Sequence, residues 1–406
     1  MKKNYLLTFL SFLFFFTACQ STKADLNNKV TSPILPKAPA QKIQDEKTSK
    51  SQLNLLFAGD IMAHSVNYNV RNYNKIWESI SETVLSADLA FGNIESPVDT
   101  TKEASSYPQF NMTKKYLQAA IDSGFDVFSL CNNHTNDWFL EGIKETIKTT
   151  NELTENELKE GHHIYFSGVK NKPEDEYTWN YIERNGWKII FLPITELLNR
   201  NDAASYINFV KPKEADRTKL KNFIKKLNNE YPNDLFILSV HTAEPEYVRA
   251  VTQEQEDFYK ELLDCGVDVL WANHAHIIKD RKYIFNVENN TQKVIMYANG
   301  NTISGQRTKP DFVAKTPAAE RDNTGDGLMV QITFTKDTKG KKAHITKAEN
   351  IFITTYINSA WEFVIKPMNQ AFIDYLYEVK RDDWANYIEK RMKINNTYTK
   401  DLLEWQ

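Results

Sequence analysis

The stretch LNLLFAGDIMAH, residues 53–64, decides how the rest of this chain is read. Leu53, Leu55, Leu56 and Phe57 form a short apolar run with the bulk of a buried strand. Gly59 closes the run and lets the backbone leave it in a tight conformation. Asp60 then stands at the carboxyl edge of a strand, where open α/β folds place ligand-binding groups. His64 follows in the same turn. A strand that ends in a glycine, an acid and an imidazole offers metal-type ligands, and the rest of the chain supplies more strand ends of that kind.

Downstream, residues 73–85 have helical spacing, with Ile76, Trp77, Ile80 and Val84 on one face. Residues 87–92, ADLAFG, form a short strand that runs into Asn93-Ile94-Glu95-Ser96-Pro97. A helix over 114–123 and a strand over 125–130 lead to Cys131-Asn132-Asn133-His134, and a helix over 138–149 follows. A strand over 187–194 and a charged amphipathic helix over 213–230 precede the strand 235–240, which ends at His241. A helix over 252–265, with Phe258, Leu262 and Leu263 inward, leads to the strand 267–271 and then Asn273-His274-Ala275-His276. The strand 293–297 runs into Ala298-Asn299-Gly300-Asn301. From Gly327 the pattern becomes two alternating strands, LMVQITFT and HITKAENIFITTYI, and a helical segment over about 369–406 closes the chain. Alternating strands and helices followed by β-rich segments predict an α/β sheet sandwich flanked by helices. The placement of Gly59, Gly92 and Gly300 at strand ends points to specialised turns.

With 406 residues, 41% of them hydrophobic and 25% charged, the chain can bury a sizeable core. A net charge of -3 lacks the basic excess of a nucleic-acid protein, so no nucleic-acid partner is expected. Residues 1–19 read as a lipoprotein signal peptide. Lys2 and Lys3 precede an apolar run, residues 5–18, too short to span a bilayer comfortably. The run ends in Phe16-Thr17-Ala18-Cys19, which resembles a bacterial lipobox with Cys19 as the lipidated residue. This predicts a lipid anchor on the extracytoplasmic face of the cell membrane. Residues 20–51, rich in Lys, Ser, Thr, Pro, Asn and Gln, read as a flexible tether. The folded part is expected over 52–335, with 336–406 completing it. Cys131 and Cys265 sit in apolar contexts and read as small buried hydrophobes, and a disulfide between them is open but not demanded.

Set side by side, the strand ends present Asp60, His64, Glu95, Asn133, His134, His241, His274 and His276. Each alone has an ordinary reading: an aspartate after a strand is usually a turn or cap residue, and a lone histidine a surface or satisfied core residue. His162-His163 and His344 are left with that reading. The joint pattern is different, because every member follows an apolar strand in the same way. Imidazole and carboxylate side chains are ligands for Zn, Mn, Fe or Ni.

The segments GDIMAH (59–64), GNIESP (92–97), CNNHTND (131–137) with Gly142 after it, SVHTAEPEY (239–247), ANHAHIIKD (272–280) and YANGNTISG (297–305) together resemble the CapA family, the capsule or poly-γ-glutamate synthesis proteins with a metallophosphatase-like fold. The resemblance implies a four-layer α-β-β-α sandwich of the metallo-dependent phosphatase type. It implies two divalent metal ions, manganese, zinc or iron, one held by Asp60, His64 and His276 and the other by Asn133, His241 and His274, with Glu95 bridging. Two such ions clamp the attacking and leaving oxygens of a displacement. His134 would protonate the leaving group, oriented by Asp137, which also stands where a helix N-cap is expected. Glu246 and Tyr247 match the family's Glu-Tyr and, with Asn299 and Asn301, would shape the substrate pocket. His241-Thr242-Ala243 departs from the family's His-Trp-Gly, Ala272-Asn273-His274-Ala275-His276 from its Gly-x-His-Pro-His, and Ala298-Asn299-Gly300-Asn301-Thr302 from its Leu-Gly-Asn-Phe. The ligand side chains survive these changes. The expected function is a membrane-anchored protein of capsule polymer synthesis, of the poly-γ-glutamate type, with a metal-dependent hydrolase site acting on a phosphoester or an amide. The alternative is a non-catalytic protein of polymer assembly or export on the same fold. The expected partners are a cell-envelope polymer or its precursor and a capsule synthesis complex.

Overall fold

Apolar side chains of the strand Gln52–Ile61 alternate between two cores, so the strand is buried on both faces. Leu53, Leu55 and Phe57 enter a core shared by two sheets. Leu56 and Ala58 point the other way, against helices. The computed structural model describes residues 51–286, 291–336 and 343–405. The signal peptide, Cys19 and all of the tether except Ser51 lie outside them.

The first sheet has eight strands. Its order is Phe363–Pro367, His344–Ile357, Asp326–Thr335, Gln52–Ile61, Leu89–Ile94, Val127–Ser129 and Tyr165–Ser167, with the short Asn301–Ile303 paired beside Gln52–Ile61. Gln52–Ile61 runs parallel to Leu89–Ile94 and antiparallel to Asp326–Thr335. The second sheet has seven strands, in the order Asp401–Trp405, Arg281–Asn286, Thr291–Met296, Val269–Asn273, Leu235–His241, Trp187–Thr195 and Asn180–Arg184. Its central strands, Trp187–Thr195, Leu235–His241 and Val269–Asn273, are mutually parallel.

Leu55, Phe57 and Phe91 from the first sheet meet Ile189, Phe191, Ile237, Val269 and Trp271 from the second. The outer face of the first sheet packs on Trp77, Tyr116, Leu117, Ile143 and their neighbours. The outer face of the second packs on Leu220, Ile224, Phe258 and Leu262 of the helices Glu214–Glu230 and Gln253–Asp264. The four-layer α-β-β-α sandwich expected from the sequence is what forms. Among the described residues no helix is long and apolar enough to cross a membrane.

Several local expectations change. Gly59 does not end its strand, which continues to Ile61. It is glycine because a Cβ there would lie 2.0 Å from the Gly300 carbonyl oxygen. That carbonyl accepts from the Asp60 amide at 3.0 Å, and Thr302 Oγ1 bonds both the amide and the carbonyl of Gly59 at 2.9 Å. The helix expected over 73–85 is two short ones, Asn74–Trp77 and Ser81–Leu85, with Ser81 Oγ donating to the Trp77 carbonyl at the join. The helix expected over 138–149 runs from Phe139 to Lys159. The closing segment is two helices, Gln370–Glu378 and Asp382–Tyr398, followed by a strand, Asp401–Trp405, that joins the edge of the second sheet. Cys131 and Cys265 are buried free thiols. His162 sits between Asp126 and Glu157, at 3.1 and 2.8 Å, away from the strand ends discussed below.

The contact between Gly59 and Gly300 yields a direct test. Gly59→Ala is expected to lower stability by about 1–3 kcal/mol, the usual range for overpacking, read as a shifted midpoint in urea. An unchanged midpoint would mean that the 299–301 turn can withdraw without loss.

Candidate metal centre

Strand register assembles the site. In the first sheet Asp60 lies between Asn93 on one side and Asn301 on the other. In the second sheet His241 lies between Thr195 and Asn273. The two strand ends touch: Asn93 Nδ2 donates to Asp60 Oδ1 at 2.8 Å and lies 3.4 Å from His241 Nδ1. Trp271 Nε1 donates across the interior to the Ala58 carbonyl at 2.8 Å, which fixes the sheets' spacing one turn below.

The loop after Val269–Asn273 adopts an unfavourable backbone to deliver its side chains. His274 has φ 102° and His276 has φ 53°, and Tyr247, packed beside them, has φ 62°. Such conformations in residues with a Cβ cost about 1–3 kcal/mol each and persist only where surrounding contacts enforce them. Here the Tyr247 amide donates to the Ala275 carbonyl at 2.9 Å, and the His274 amide approaches Asp60 Oδ2 at 3.4 Å.

Glu95 sits at the centre. It is fully buried, and neither of its carboxylate oxygens has a hydrogen-bond partner. His241 Nε2 and His276 Nε2 stand 3.6 and 3.7 Å from its Oε1. Two groups of side chains bring ligand atoms within 4.8 Å of one another: Glu95 with His274 and His276, and Asp60 with Glu95 and His241. Glu95 belongs to both, as a bridging acid would. The pairs expected from the resemblance are close as well: His276 Nδ1 lies 3.3 Å from Asp60 Oδ2, and the ring centroids of His241 and His274 are 4.9 Å apart. Asn133 lies alongside, its Oδ1 2.8 Å from His241 Nε2. His64 belongs to neither group. Its ring packs edge-on against Phe110 at 5.0 Å, and its buried Nδ1 has no partner.

The electrostatics of this cluster are those of a site short of positive charge. Burial, and then the neighbouring Asp60 and Glu246 charges, push the Glu95 carboxyl well above its ordinary value. Burial and the surrounding imidazoles push His241 down, and His64 and His274 down to about 3. Burial also opposes a charge on His276, but contact with Asp60 outweighs it and raises the group. Nδ1 of His276 lies 3.3 Å from Asp60 Oδ2 and 3.0 Å from Asn301 Oδ1. Burial that disfavours protonation of His64, His241 and His274, beside a Glu95 carboxylate whose oxygens have no hydrogen-bond partner, suits a divalent cation, and the mixed nitrogen and oxygen set suits manganese, zinc or iron.

His134 and Asp137 form a close pair, Nδ1 to Oδ2 at 2.7 Å. Asp137 is not a helix cap: the helix begins at Phe139 with Trp138 before it, and Asp137 Oδ2 instead accepts from the Phe110 amide at 2.8 Å. Phe110 places its ring edge-on to His134 at 4.7 Å. Glu246 and Tyr247 flank the cluster, the Tyr247 ring 6.0 Å from His276 with the Arg321 guanidinium 5.2 Å from the Tyr247 centroid. Burial and Glu246 together raise the Tyr247 phenol. Asn299 and Asn301 depart from the expected pocket-lining role. Asn299 Nδ2 is bonded to the Phe57 and Ala58 carbonyls, and Asn301 is bonded to His276, Gln306 and the Thr324 carbonyl. They hold the strand and the imidazole in place. Where the family pattern has Trp-Gly, Thr242 and Ala243 are held by Glu196, whose Oε2 accepts from the Thr242 hydroxyl at 3.3 Å and the Ala243 amide at 3.2 Å. Sequence reading passed over Asn93, although strand periodicity puts it on the face of Glu95. Phe110 carried no signal of its own.

Fold and site together define a four-layer α/β protein with a candidate metal centre where the carboxyl ends of its two sheets meet. The family described as "Bacterial capsule synthesis protein PGA_cap" matches residues 54–306, and this chain belongs to it. Among its relatives, "Capsule biosynthesis protein CapA" of Bacillus anthracis is 25% identical over 281 residues, covering 67% of this chain and 64% of that protein. "PGA biosynthesis protein CapA" of Bacillus subtilis (strain 168) is 24% identical over 265 residues, covering 64% of this chain and 65% of that protein. The chain thus spans a little under two thirds of the length of both. Similar solved structures include a hypothetical protein from Thermus thermophilus, at 13% identity and a TM-score of 0.42, covering 74% of this chain and 98% of that one. Another is the calcineurin-like phosphoesterase YfkN from Bacillus subtilis, at 10% identity and a TM-score of 0.39, covering 83% of this chain and 99% of that one.

The isolation of Glu95 makes a two-sided prediction. Without metal, Glu95→Gln is expected to be more stable than the parent, by a margin that widens as the pH rises above the ordinary carboxylate range, because burial raises the Glu95 carboxyl in the folded chain and the unfolded chain loses its proton first. With manganese at a hundred times its Kd, the parent is expected to gain about 2.7 kcal/mol and the variant far less. Parallel thermal melts with and without the ion check both halves.

Proposed function

We propose that this chain is a metal-dependent hydrolase of cell-envelope polymer synthesis, anchored to the membrane and acting on a phosphoester or an amide of a capsular polymer of the poly-γ-glutamate type. One observation carries the reading: the buried Glu95 carboxylate, without a hydrogen-bond partner, surrounded by Asp60, His241, His274 and His276. Two divalent ions in this cluster would supply Lewis acidity and a clamp on the attacking and leaving oxygens. Glu95 would be shared between them, with Asp60, His64, Asn133, His241, His274 and His276 as the remaining ligands.

The chain's own residues account for the rest. Asp137 accepts from His134 Nδ1, so Nε2 is the ring nitrogen that would carry the donated proton. A protonated His134 gives its Nε2 proton to the leaving oxygen or nitrogen as water takes the place of that atom, and solvent restores it. Tyr247 and Arg321 form the wall next to His276. The lipid anchor on Cys19 rests on the sequence pattern at the end of the apolar run.

The names of the relatives describe biosynthesis, which favours a second reading, an assembly or export protein that uses the same site without turnover. The measurements separate the two. Metal analysis of the purified chain is expected to find about two equivalents, falling sharply in Asp60→Ala. Activity on a generic phosphoester or a γ-glutamyl amide is expected to fall by about 10²–10⁴-fold in His134→Ala with metal content unchanged. Full metal with no turnover on either substrate would move the conclusion to assembly. Cys19→Ser is expected to shift the protein from the detergent phase to the aqueous phase, and continued partitioning into detergent would reject the anchor.

A further inference from the structure

The wall beside His276 is held in register with the metal cluster. Asn301 Oδ1 lies 3.0 Å from His276 Nδ1, and Asn301 Nδ2 donates to Gln306 Oε1 at 2.9 Å. Gln306 Nε2 in turn donates to the Tyr247 hydroxyl at 3.4 Å. The Tyr247 ring stands 6.0 Å from the His276 ring, and the Arg321 guanidinium lies 5.2 Å from the Tyr247 centroid. The same aromatic ring thus neighbours a candidate ligand and a positive charge. That charge is felt in the cluster, where Arg321 is one of the groups that lower His64.

Arg321 is unlike the other arginines at this end of the molecule. Arg307 and Arg391 are buried against Asp326. Arg249 donates to the Ile278 carbonyl at 2.6 Å and to Asn323 Oδ1 at 3.2 Å. Among the described residues Arg321 makes one ion pair, to its neighbour Glu320 at 3.8 Å, and both side chains are more than half exposed. Such a pair contributes little. Glu246 acts instead on Glu95, His276 and the Tyr247 phenol. The backbone under Arg321 is nevertheless fixed. It belongs to the short helix Glu320–Asn323. In that helix Asp322 Oδ1 accepts from the Tyr387 hydroxyl at 2.6 Å and the Asp311 amide at 3.0 Å, and Asn323 is held by Arg249 and by the Ala318 carbonyl. A segment anchored at the residues that follow it therefore presents an uncommitted guanidinium beside the site. Against an aromatic ring a guanidinium keeps its in-plane N–H donors free, and their fork matches a carboxylate.

We propose that Arg321, seated on Tyr247, is the anion-recognition residue of this site, and that it takes a carboxylate of the polymer while a neighbouring bond of the chain lies at the Glu95 cluster. A γ-linked glutamyl chain carries a free carboxylate on every residue, beside a neutral amide. The amide has no charge by which such a chain could be told from others, so recognition falls to the carboxylates. A guanidinium on the ring next to His276 selects a polyanionic chain over a neutral one. This assignment rests on the poly-γ-glutamate reading for its ligand and not on turnover, and the test keeps the two apart.

Arg321→Ala and Arg200→Ala are prepared in the full chain with manganese supplied. Arg200, in the loop after the strand Trp187–Thr195, lies against Phe139 and pairs with Asp202, and its loss removes the same net charge. Calorimetry follows the binding of a short γ-linked glutamate oligomer, of the same oligomer with its α-carboxylates methylated, and of inorganic phosphate. The parent is expected to bind the oligomer more tightly than its methyl ester. Arg321→Ala is expected to weaken the oligomer by about 10- to 100-fold, the contribution of a charge-assisted pair, and to bind the methyl ester and phosphate as the parent does. Arg200→Ala is expected to match the parent on all of them. A parent without preference for the oligomer, or an unchanged Kd in Arg321→Ala, would overturn the proposal. So would a loss confined to phosphate, a loss shared equally by phosphate and oligomer, or an equal loss in Arg200→Ala, which would assign the effect to net charge. Turnover of the oligomer and of p-nitrophenyl phosphate is measured separately. If the parent hydrolyses neither, the hydrolase reading fails, and the binding result still decides the role of Arg321.

Discussion

A carboxylate sealed from water without a hydrogen bond is among the least favourable things a fold can contain, and this one is built around Glu95. Desolvating a carboxylate costs several kcal/mol unless a partner offsets it. No donor among the described residues does so, although His241 and His276 stand a little beyond hydrogen-bonding reach. Evenly spaced apolar strands bring the site together. Both faces of Gln52–Ile61, Leu89–Ile94 and Leu235–His241 are buried, and that burial holds the sheets in register whatever the strand ends carry. The unfavourable φ of His274 and His276 belongs to the same account. Packing elsewhere stabilises a loop that the loop itself would not choose.

The C-terminal layer is part of that support. Asp326 lies at the start of the strand Asp326–Thr335 and is fully buried, with Arg307, Arg391 and Asn395 around it at 3.1, 2.8 and 2.9 Å. Burial opposes the charge of Asp326, but the two guanidinium groups outweigh it and lower its carboxyl. Tyr387 reaches Asp322 at 2.6 Å. Arg391, Asn395 and Tyr387 all lie on the helix Asp382–Tyr398, and Arg307 follows the turn that carries Gly300 and Asn301. The closing helix is thereby tied to the segment that orients His276. A network of this kind adds little net stability when intact but is strongly destabilising when one member is removed, because its charges cannot reach water.

The two sheets contribute unlike chemistry. The first provides the acids, Asp60 and Glu95, together with the His134–Asp137 pair. The second provides His241 and the loop bearing His274 and His276. Asn93 and Asn199 are among the side chains that cross between them, and neither is a metal-ligand type that a search for imidazoles and acids would select. Both are amides, which can donate and accept at once and carry no charge to desolvate.

Much of this was legible in one dimension. Strand ends were readable because a run of apolar residues that stops at a polar group is a local pattern, and Asp60, Glu95, Asn133, His134, His241, His274 and His276 all follow such runs. Their selection as candidate site residues came from side-chain chemistry alone. The strands Asn180–Arg184, Arg281–Asn286 and Asp401–Trp405 escaped notice, since each is partly exposed and owes its conformation to a neighbour in the sheet. Only the tertiary structure decided which imidazole faces which acid, why Gly59 must lack a side chain, and that Asp137 serves His134 instead of capping a helix. Asn93 and His241 are 148 positions apart, and His274 and Asp60 are 214. Spacing along a chain carries no information about contacts of that range, which exist only because the burial of two sheets against each other brings their ends to one place.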